Sequence, residues 1–167
     1  MRSLLCTLLL VGLSFTNEEV LDKKALDAKA PGFYSTTLGG QSFYLSDELS
    51  KDRSVFLSFF ATWCAPCLKE IPVIDSLKNL YPGTDFYLVN VSEKYEKVKK
   101  FTESMNISMP ILMDKYGQVA EKYEALSLPR SVIIDVNGNI VYNHTGYAPG
   151  DEKEFIKVLN TLRKDED

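Results

Sequence analysis

Two cysteines separated by two residues, Cys64 and Cys67, have the spacing in this sequence that points most directly to chemistry. On the first turn of a helix, such a pair can close a small disulfide ring. Cys64 would then lie at the helix N-terminus, where unpaired N–H groups and the helix dipole favour an anion. Because the thiolate is the reactive form, Cys64 is predicted to be a nucleophile, with Cys67 as the resolving thiol one turn inside.

The cysteine pair stands between a strand pattern and a helix pattern. Residues 55–60 form a nearly continuous apolar run, which is typical of a strand buried on both faces of a parallel sheet. Apolar residues then recur at three- and four-residue spacing along 67–81, which predicts a helix that begins at the pair. Pro66 suits the first turn of that helix, whereas Pro72 lies inside it and is expected to kink it.

Other uses of a cysteine pair fit these residues less well. A zinc site needs two further ligands, and His144 is the only histidine of the chain. Covalent haem attachment needs a histidine directly after the second cysteine, where Leu68 stands. A structural disulfide stays open for an exported protein, although Trp63 before the pair and the strand-to-helix junction favour a redox centre.

The rest of the chain predicts an α/β domain. One hairpin is expected around Gly39-Gly40, and a second around Asn137-Gly138. Further strand and helix patterns lie at 86–91, 95–105, 110–113, 116–123 and 151–162. Ser92 is expected to cap the helix over 95–105. Strand–helix alternation followed by a hairpin predicts a central mixed β-sheet flanked by helices on both faces, with the first hairpin as an N-terminal extension.

The first sixteen residues are predicted to be a targeting segment. Met1-Arg2 is a short positive start, and residues 3–15 are almost wholly apolar, a pattern typical of a secretory signal peptide. This run is shorter than the ~20 residues of a spanning helix, so an uncleaved membrane anchor is the alternative. Residues 17–30 predict a polar linker, and 31–167 the domain. The predicted location is the periplasm or another extracytoplasmic compartment.

The composition excludes several classes of function. The chain has 167 residues, of which 45% are hydrophobic and 25% charged, as expected for one globular domain. Its formal net charge is −4, so no basic face is expected to neutralise phosphates, and nucleic acid is not a predicted partner. Three cysteines and one histidine predict neither a metal site nor a disulfide-dense scaffold.

Three longer stretches of the sequence, one of which contains the cysteine pair, form a wider pattern. Residues 59–72 include the pair and Pro72, and residues 114–117 and 128–138 include Leu128-Pro129, an apolar strand and a turn. Together they resemble the exported thiol–disulfide oxidoreductases of the TlpA/ResA type, which have the thioredoxin fold and belong to the AhpC/TSA–redoxin superfamily. The resemblance covers residues 30–162 and therefore implies a thioredoxin fold for nearly all of the predicted mature chain.

The resemblance implies a substrate-binding surface around the dithiol. Pro129 matches the cis-proline that faces the dithiol in this family. A cis bond would turn the backbone of Leu128 outward, so that its N–H and C=O groups bind an extended substrate segment. The other expected contributors are Trp63, Ala65 and Pro66. Ala65 and Pro66 also tune the redox potential.

Glu70 follows Cys67 by one helical turn. In proteins of the TlpA/ResA type, the matching acid is thought to assist proton transfer near the buried thiol, which a half-buried carboxylate with a raised pKa can do. Ser58 stands where cytoplasmic thioredoxins carry a buried aspartate. A proton relay through that aspartate is therefore not expected here, which makes Glu70 the stronger candidate for proton transfer. The alternative for Glu70 is a solvated helix acid paired with a lysine.

These features predict an exported thiol:disulfide oxidoreductase that acts through the Cys64–Cys67 dithiol without a cofactor. The expected partners are protein thiols or disulfides and a membrane-bound or soluble thiol electron donor, and the chain is expected to be a monomer. The resemblance implies a role as a reductant in cytochrome c maturation. One alternative is a thioredoxin-like peroxidase, although Leu57 and Ala61 stand where its upstream proline and threonine would be. Another is a redox-inactive binding module.

Overall fold

The structure, a computed structural model, describes residues 28–164. The strands are β1 (Tyr34–Thr36), β2 (Ser42–Tyr44), β3 (Ser54–Phe60), β4 (Thr84–Val91), β5 (Ile111–Asp114), β6 (Arg130–Ile134) and β7 (Ile140–Thr145). The helices are α1 (Leu45–Leu49), α2 (Ala65–Leu77), α3 (Tyr95–Met105), α4 (Gln118–Lys122) and α5 (Glu152–Lys164). None of these helices is long and apolar enough to cross a membrane.

The predicted signal peptide over 1–16 and most of the predicted linker lie outside the described residues. The end of that linker contacts the domain through backbone hydrogen bonds. Ala30 N–H donates to the Gly138 carbonyl at 2.9 Å, and Ile140 N–H donates to the Ala28 carbonyl at 2.8 Å. Residues 28–30 therefore lie against the β6–β7 turn.

Five strands form the central sheet, in the order β5-β4-β3-β6-β7. The strands β3, β4 and β5 are parallel, whereas β6 pairs antiparallel with β3 and β7 pairs antiparallel with β6. The carboxyl ends of β3, β4 and β5 meet the start of β6 and the end of β7 at one edge. The predicted mixed sheet is confirmed, and the sheet brings five chain segments together at the edge where α2 begins.

Alternate residues of β3 face two hydrophobic cores, because successive side chains of a strand point to opposite faces. Phe56 and Phe60 pack in one core with buried side chains of α2, α3 and α5. Val55, Leu57 and Phe59 pack in the other core with α1, α4 and the β1–β2 hairpin. Helices therefore flank both faces of the sheet, as the sequence predicted.

The N-terminal hairpin is present as a separate two-stranded sheet of β1 and β2. Its turn lies against the outer edge of β5. Thr37 forms an antiparallel bridge with Leu112, and Leu38 N–H donates to the Ile111 carbonyl at 2.7 Å. The hairpin thereby partly covers an edge of the central sheet that would otherwise be open.

The predicted cap of α3 is wrong. The N-cap residue is Lys94, whose side chain makes no capping hydrogen bond, and α3 begins at Tyr95. Ser92 instead lies in the left-handed region with φ of 57°, and its N–H donates to the Asp114 carbonyl at 2.9 Å. The chain turns here before the helix begins, and this turn places Glu93 toward the edge where α2 begins.

Candidate active site

Cys64 and Cys67 are joined by a disulfide at the N-terminus of α2, with a Cα–Cα distance of 5.3 Å. Cys64 is the N-cap residue, and its Sγ accepts a hydrogen bond from Cys67 N–H at 3.3 Å. Cys67 is fully buried, whereas Cys64 keeps 4% of its surface exposed. Of the two cysteines, Cys64 is therefore the one that solvent reaches, and it lies at the end of the helix that favours negative charge.

The residues around the pair differ in exposure. Trp63 is 71% exposed, Ala65 is exposed and Pro66 is half-buried. These three side chains therefore form a surface beside Cys64 that another protein can contact.

The cis-proline segment lies at the same edge of the sheet. The Leu128–Pro129 peptide bond is cis, and Pro129 is buried while Leu128 is half-buried. Arg130, the next residue, pairs with Phe59 near the end of β3. Pro129 therefore enters the sheet beside the segment that connects β3 to Cys64.

Glu70 lies on α2 beneath the pair and has no exposed surface. Ser58 Oγ donates to its Oε2 at 2.8 Å, and Ser131 Oγ donates to its Oε1 at 2.6 Å. The two serines are directly opposite each other on β3 and β6, so the sheet holds both hydroxyls on the face toward α2. The alternative of a solvated acid paired with a lysine is wrong, because the carboxyl is buried between two hydroxyls.

Burial controls the protonation of Glu70. Loss of hydration raises the pKa of the carboxyl to about 7, and the nearby charge of Asp151 also raises it. The hydrogen bonds from Ser131 and Ser58 lower the pKa, but they only partly offset burial. Burial therefore brings the titration of this carboxyl up toward neutral pH.

Glu93 is a residue of this edge that the sequence analysis missed. Its side chain is 6% exposed and fixes the loop before the pair. Thr62 N–H donates to its Oε2 at 2.7 Å, and Thr62 Oγ1 donates to its Oε1 at 2.8 Å. Asn90 and Lys97 also donate to it, at 2.8 and 2.6 Å.

The pKa of Glu93 reflects opposing effects. Burial raises it, but the hydrogen bonds from Lys97, Thr62 and Asn90 outweigh burial, and the pKa lies below its ordinary value. Glu93 is therefore ionised at neutral pH and holds Thr62 in place. Asn90 and Glu93 are polar residues at the carboxyl end of a buried strand, a sequence feature that could have identified this edge.

Within 28–164, no group of three or more histidine, cysteine, aspartate and glutamate side chains has the geometry to hold a metal ion.

Known proteins resemble this chain in both sequence and structure. The Redoxin family matches residues 24–159. ResA thiol-disulfide oxidoreductase of Geobacillus thermodenitrificans is 35% identical over 163 residues, which cover 94% of this chain and 91% of that protein. ResA of Geobacillus kaustophilus is 37% identical over 124 residues, covering 73% of this chain and 70% of that protein.

A solved structure agrees with these relatives. The thiol:disulfide interchange protein of the thioredoxin family from Chlorobium tepidum has a TM-score of 0.68 and 26% identity, and the match covers 81% of this chain and 96% of that one. Full-length sequence similarity and a cysteine pair at the start of α2 lead to one assignment. The chain belongs to the Redoxin family and is a thiol-disulfide oxidoreductase of the ResA type.

Proposed function

We propose that this protein reduces disulfides of other proteins at an extracytoplasmic site, with Cys64 as the attacking thiol and Cys67 as the resolving thiol. The observation that carries the proposal is the Cys64–Cys67 disulfide at the N-terminus of α2, where Cys64 alone of the pair has exposed surface. The helix end stabilises the thiolate of Cys64, and the position of Cys67 one turn inside keeps it for the second step.

The cycle begins with the reduced dithiol. The Cys64 thiolate attacks one sulfur of a substrate disulfide, a Cys64–substrate disulfide forms, and the other substrate sulfur leaves as a thiolate. Cys67 then loses its proton and attacks the sulfur of Cys64. The Cys64–Cys67 disulfide forms and the remaining substrate sulfur leaves. Two electrons pass from the dithiol to the substrate, and the two substrate thiolates are protonated.

Glu70 is proposed to exchange the proton of Cys67. It follows Cys67 by one turn on the same helix, and residues three apart on a helix are neighbours. With a pKa of about 7, its carboxylate accepts the proton of Cys67 as the second step begins and later passes it on. Ser58 and Ser131 position the carboxyl and, as hydroxyls, can donate to its ionised form and accept from its protonated form.

Substrate is proposed to bind beside the cis-proline. The backbone N–H and C=O of Leu128 pair with an extended segment that carries the reacting cysteine, in the manner of an added strand. Trp63, Ala65 and Pro66 contact the same segment from the other side. Their exposure, together with the placement of Pro129 next to the end of β3, supports this arrangement.

The location and biological role are also proposals. Residues 1–16 are proposed to direct export, 17–30 to form a linker and 31–167 to form the domain, because an apolar segment with a positive start precedes a polar one. A membrane-bound or soluble thiol donor would reduce the disulfide again. The similarity to the TlpA/ResA type supports a role in reducing the thiols of apocytochrome c before haem attachment. The protein is proposed to act as a monomer.

The test compares cysteine variants in reduction of two substrates, insulin and an oxidised peptide with the Cys-x-x-Cys-His pattern of c-type haem attachment. Cys64→Ser is expected to be inactive, and Cys67→Ser to accumulate mixed disulfides that a reductant releases. Glu70→Gln is expected to slow the reaction at pH 7 by about 100-fold, against no change in Glu96→Gln on an exposed face of α3. Wild-type activity in Cys64→Ser would contradict the proposal.

A further inference from the structure

A cavity of about 640 Å³ opens at the edge of the sheet where the dithiol lies. It is bounded by the β1–β2 turn, the loop between β4 and α3, and the end of β5. The residues that matter for its chemistry are Leu38, Lys94, Tyr95, Met113 and Lys115. Its size is within the range of sites that bind ligands in proteins, about 300–1,000 Å³.

The cavity has an apolar interior and a positive rim. Leu38 and Met113 are half-buried and pack against the core, while Tyr95 is 46% exposed at the wall. Lys94 and Lys115 form no ion pair with a carboxylate in the part of the chain that the structure describes. A cationic rim on a chain of net charge −4 indicates an occupant that is apolar and carries negative charge.

Glu93 also lines the cavity but does not cancel this rim. Its negative charge is paired with the Lys97 ammonium at 2.6 Å, and its oxygens also accept hydrogen bonds from Thr62 and Asn90. The same contacts connect the cavity to the dithiol, because Thr62 precedes Cys64 by two residues.

The cavity and the cis-proline lie on opposite sides of Cys64. Pro129 precedes β6, on one side of β3, whereas the cavity lies at the ends of β4 and β5, on the other side. Neighbouring strands are ~4.8 Å apart, and an extended chain advances ~3.3 Å per residue. A segment that binds at Leu128 and passes Cys64 therefore reaches the cavity about two to four residues from its reacting cysteine.

We propose that this cavity is a specificity pocket for the protein substrate, and that it takes a large apolar side chain next to an acidic residue. The apolar side chain contacts Leu38, Tyr95 and Met113, and the acidic side chain lies near Lys94 and Lys115. This inference rests on the proposed function, since it requires that Cys64 react with an extended protein segment.

Peptide disulfides test the pocket directly. Each peptide contains one cysteine joined to 2-mercaptoethanol, with Leu-Asp, Leu-Lys or Ser-Asp placed three residues from the cysteine, on either side in separate peptides. The rate constant for reaction with the reduced full chain is measured. For at least one of the two placements, the Leu-Asp peptide is expected to react about tenfold faster than the Leu-Lys peptide and about fivefold faster than the Ser-Asp peptide, with the charge preference decreasing at high salt.

Three variants and a small substrate complete the experiment. Lys94→Glu combined with Lys115→Glu is expected to reverse the preference for aspartate, whereas Lys99→Glu, on an exposed position of α3, leaves it unchanged. Tyr95→Ala is expected to reduce the preference for leucine by about threefold while the preference for charge persists. Bis(2-hydroxyethyl) disulfide, which has neither feature, is expected to react equally with all of these variants.

The outcomes separate the two proposals. Equal rates for the three peptides at both placements, with normal reduction of the hydroxyethyl disulfide by Cys64, would overturn the pocket and leave the proposed function intact. A slower reaction of the lysine variants with the hydroxyethyl disulfide would also overturn the pocket, because the rim would then act on the dithiol itself. Absence of Cys64-dependent reduction with every substrate would overturn both.

Discussion

Two carboxyl groups near the dithiol, the fully buried Glu70 and the half-buried Glu93, have pKa values shifted in opposite directions. Glu70 lies beneath Cys67 on α2, and Glu93 holds the loop before Cys64. Both accept hydrogen bonds on both oxygens. The pKa of Glu70 is nevertheless raised to about 7, whereas the pKa of Glu93 is lowered.

Burial raises the pKa of both carboxyls, and the difference comes from how far the surrounding groups offset it. Glu93 accepts from the ammonium of Lys97, a backbone N–H and an amide, which only donate, and also from the hydroxyl of Thr62. Glu70 has no exposed surface and accepts from two serine hydroxyls, and the negative charge of Asp151 raises its pKa further. The carboxyl that is paired with an ammonium and bound by further donors therefore stays ionised, whereas the fully buried one between two hydroxyls has a raised pKa.

The largest expected effect is the loss of Glu93. Glu93→Leu leaves Thr62 N–H and the Asn90 amide without their acceptor and is expected to lower the free energy of unfolding by about 3–4 kcal/mol. Denaturant unfolding of the oxidised protein measures this change. Glu96→Leu, at an exposed position in the first turn of α3, is the control. A loss below 1 kcal/mol would show that Glu93 does not hold the loop.

The second effect is a dependence of stability on pH that comes from Glu70. The folded protein keeps the Glu70 proton up to a pKa of about 7, against an ordinary value of 4.5. Stability from this group is therefore fully present below pH 4.5 and falls as the pH rises through 7, by about 3 kcal/mol in total. Unfolding measured from pH 4 to 8 should show this decrease in the wild type but not in Glu70→Gln. An equal decrease in both would rule out Glu70 as its source.

Glu93 is expected to contribute with the opposite sign. Because its folded-state pKa is lowered, its stabilisation is present above the ordinary pKa and is lost as the pH falls through the lowered value. Glu93→Gln should therefore change the acid side of the stability curve and leave the decrease toward pH 8 in place.

A smaller effect follows from removing one hydroxyl. Ser131→Ala removes the donor to Oε1, so the pKa of Glu70 is expected to rise by about one further unit. The infrared band of the protonated carboxyl, followed against pH, measures the midpoint. Ser76→Ala, at an exposed site of α2, should leave it unchanged. A midpoint that falls in Ser131→Ala would contradict the assigned direction of this hydrogen bond.

The smallest effect is expected at Lys97, whose side chain is 55% exposed. Lys97→Met should raise the pKa of Glu93 toward its ordinary value and cost less than about 1 kcal/mol, because solvent screens exposed ion pairs. Unfolding at low and high salt, with Lys100→Met as the control, gives the size of the effect. A loss equal to that of Glu93→Leu would mean that the ammonium, rather than the loop contact, dominates.

The fold could be predicted because each element carries its own pattern. The apolar run at 55–60 and the helical spacing after Cys64 depend only on neighbouring residues, and both describe what the structure shows. The cap at Ser92 could not be predicted locally. The turn there depends on a hydrogen bond to Asp114, which is distant in sequence.

In the candidate site too, local contacts could be predicted from the sequence and long-range contacts could not. Helical spacing places Glu70 next to Cys67, but the complete burial of Glu70 depends on the register that sets Ser58 opposite Ser131. Glu93 meets Thr62 across 31 positions of sequence. Contacts of this kind arise from sheet order, which local periodicity does not specify.

The contact of the β1–β2 turn with β5 has a consequence for how this protein meets other polypeptide chains. An open edge strand is a template for edge-to-edge aggregation. The bridge at Thr37 and the hydrogen bond of Leu38 occupy backbone groups on the outer edge of β5. Another polypeptide chain is thereby hindered from extending the sheet at this side.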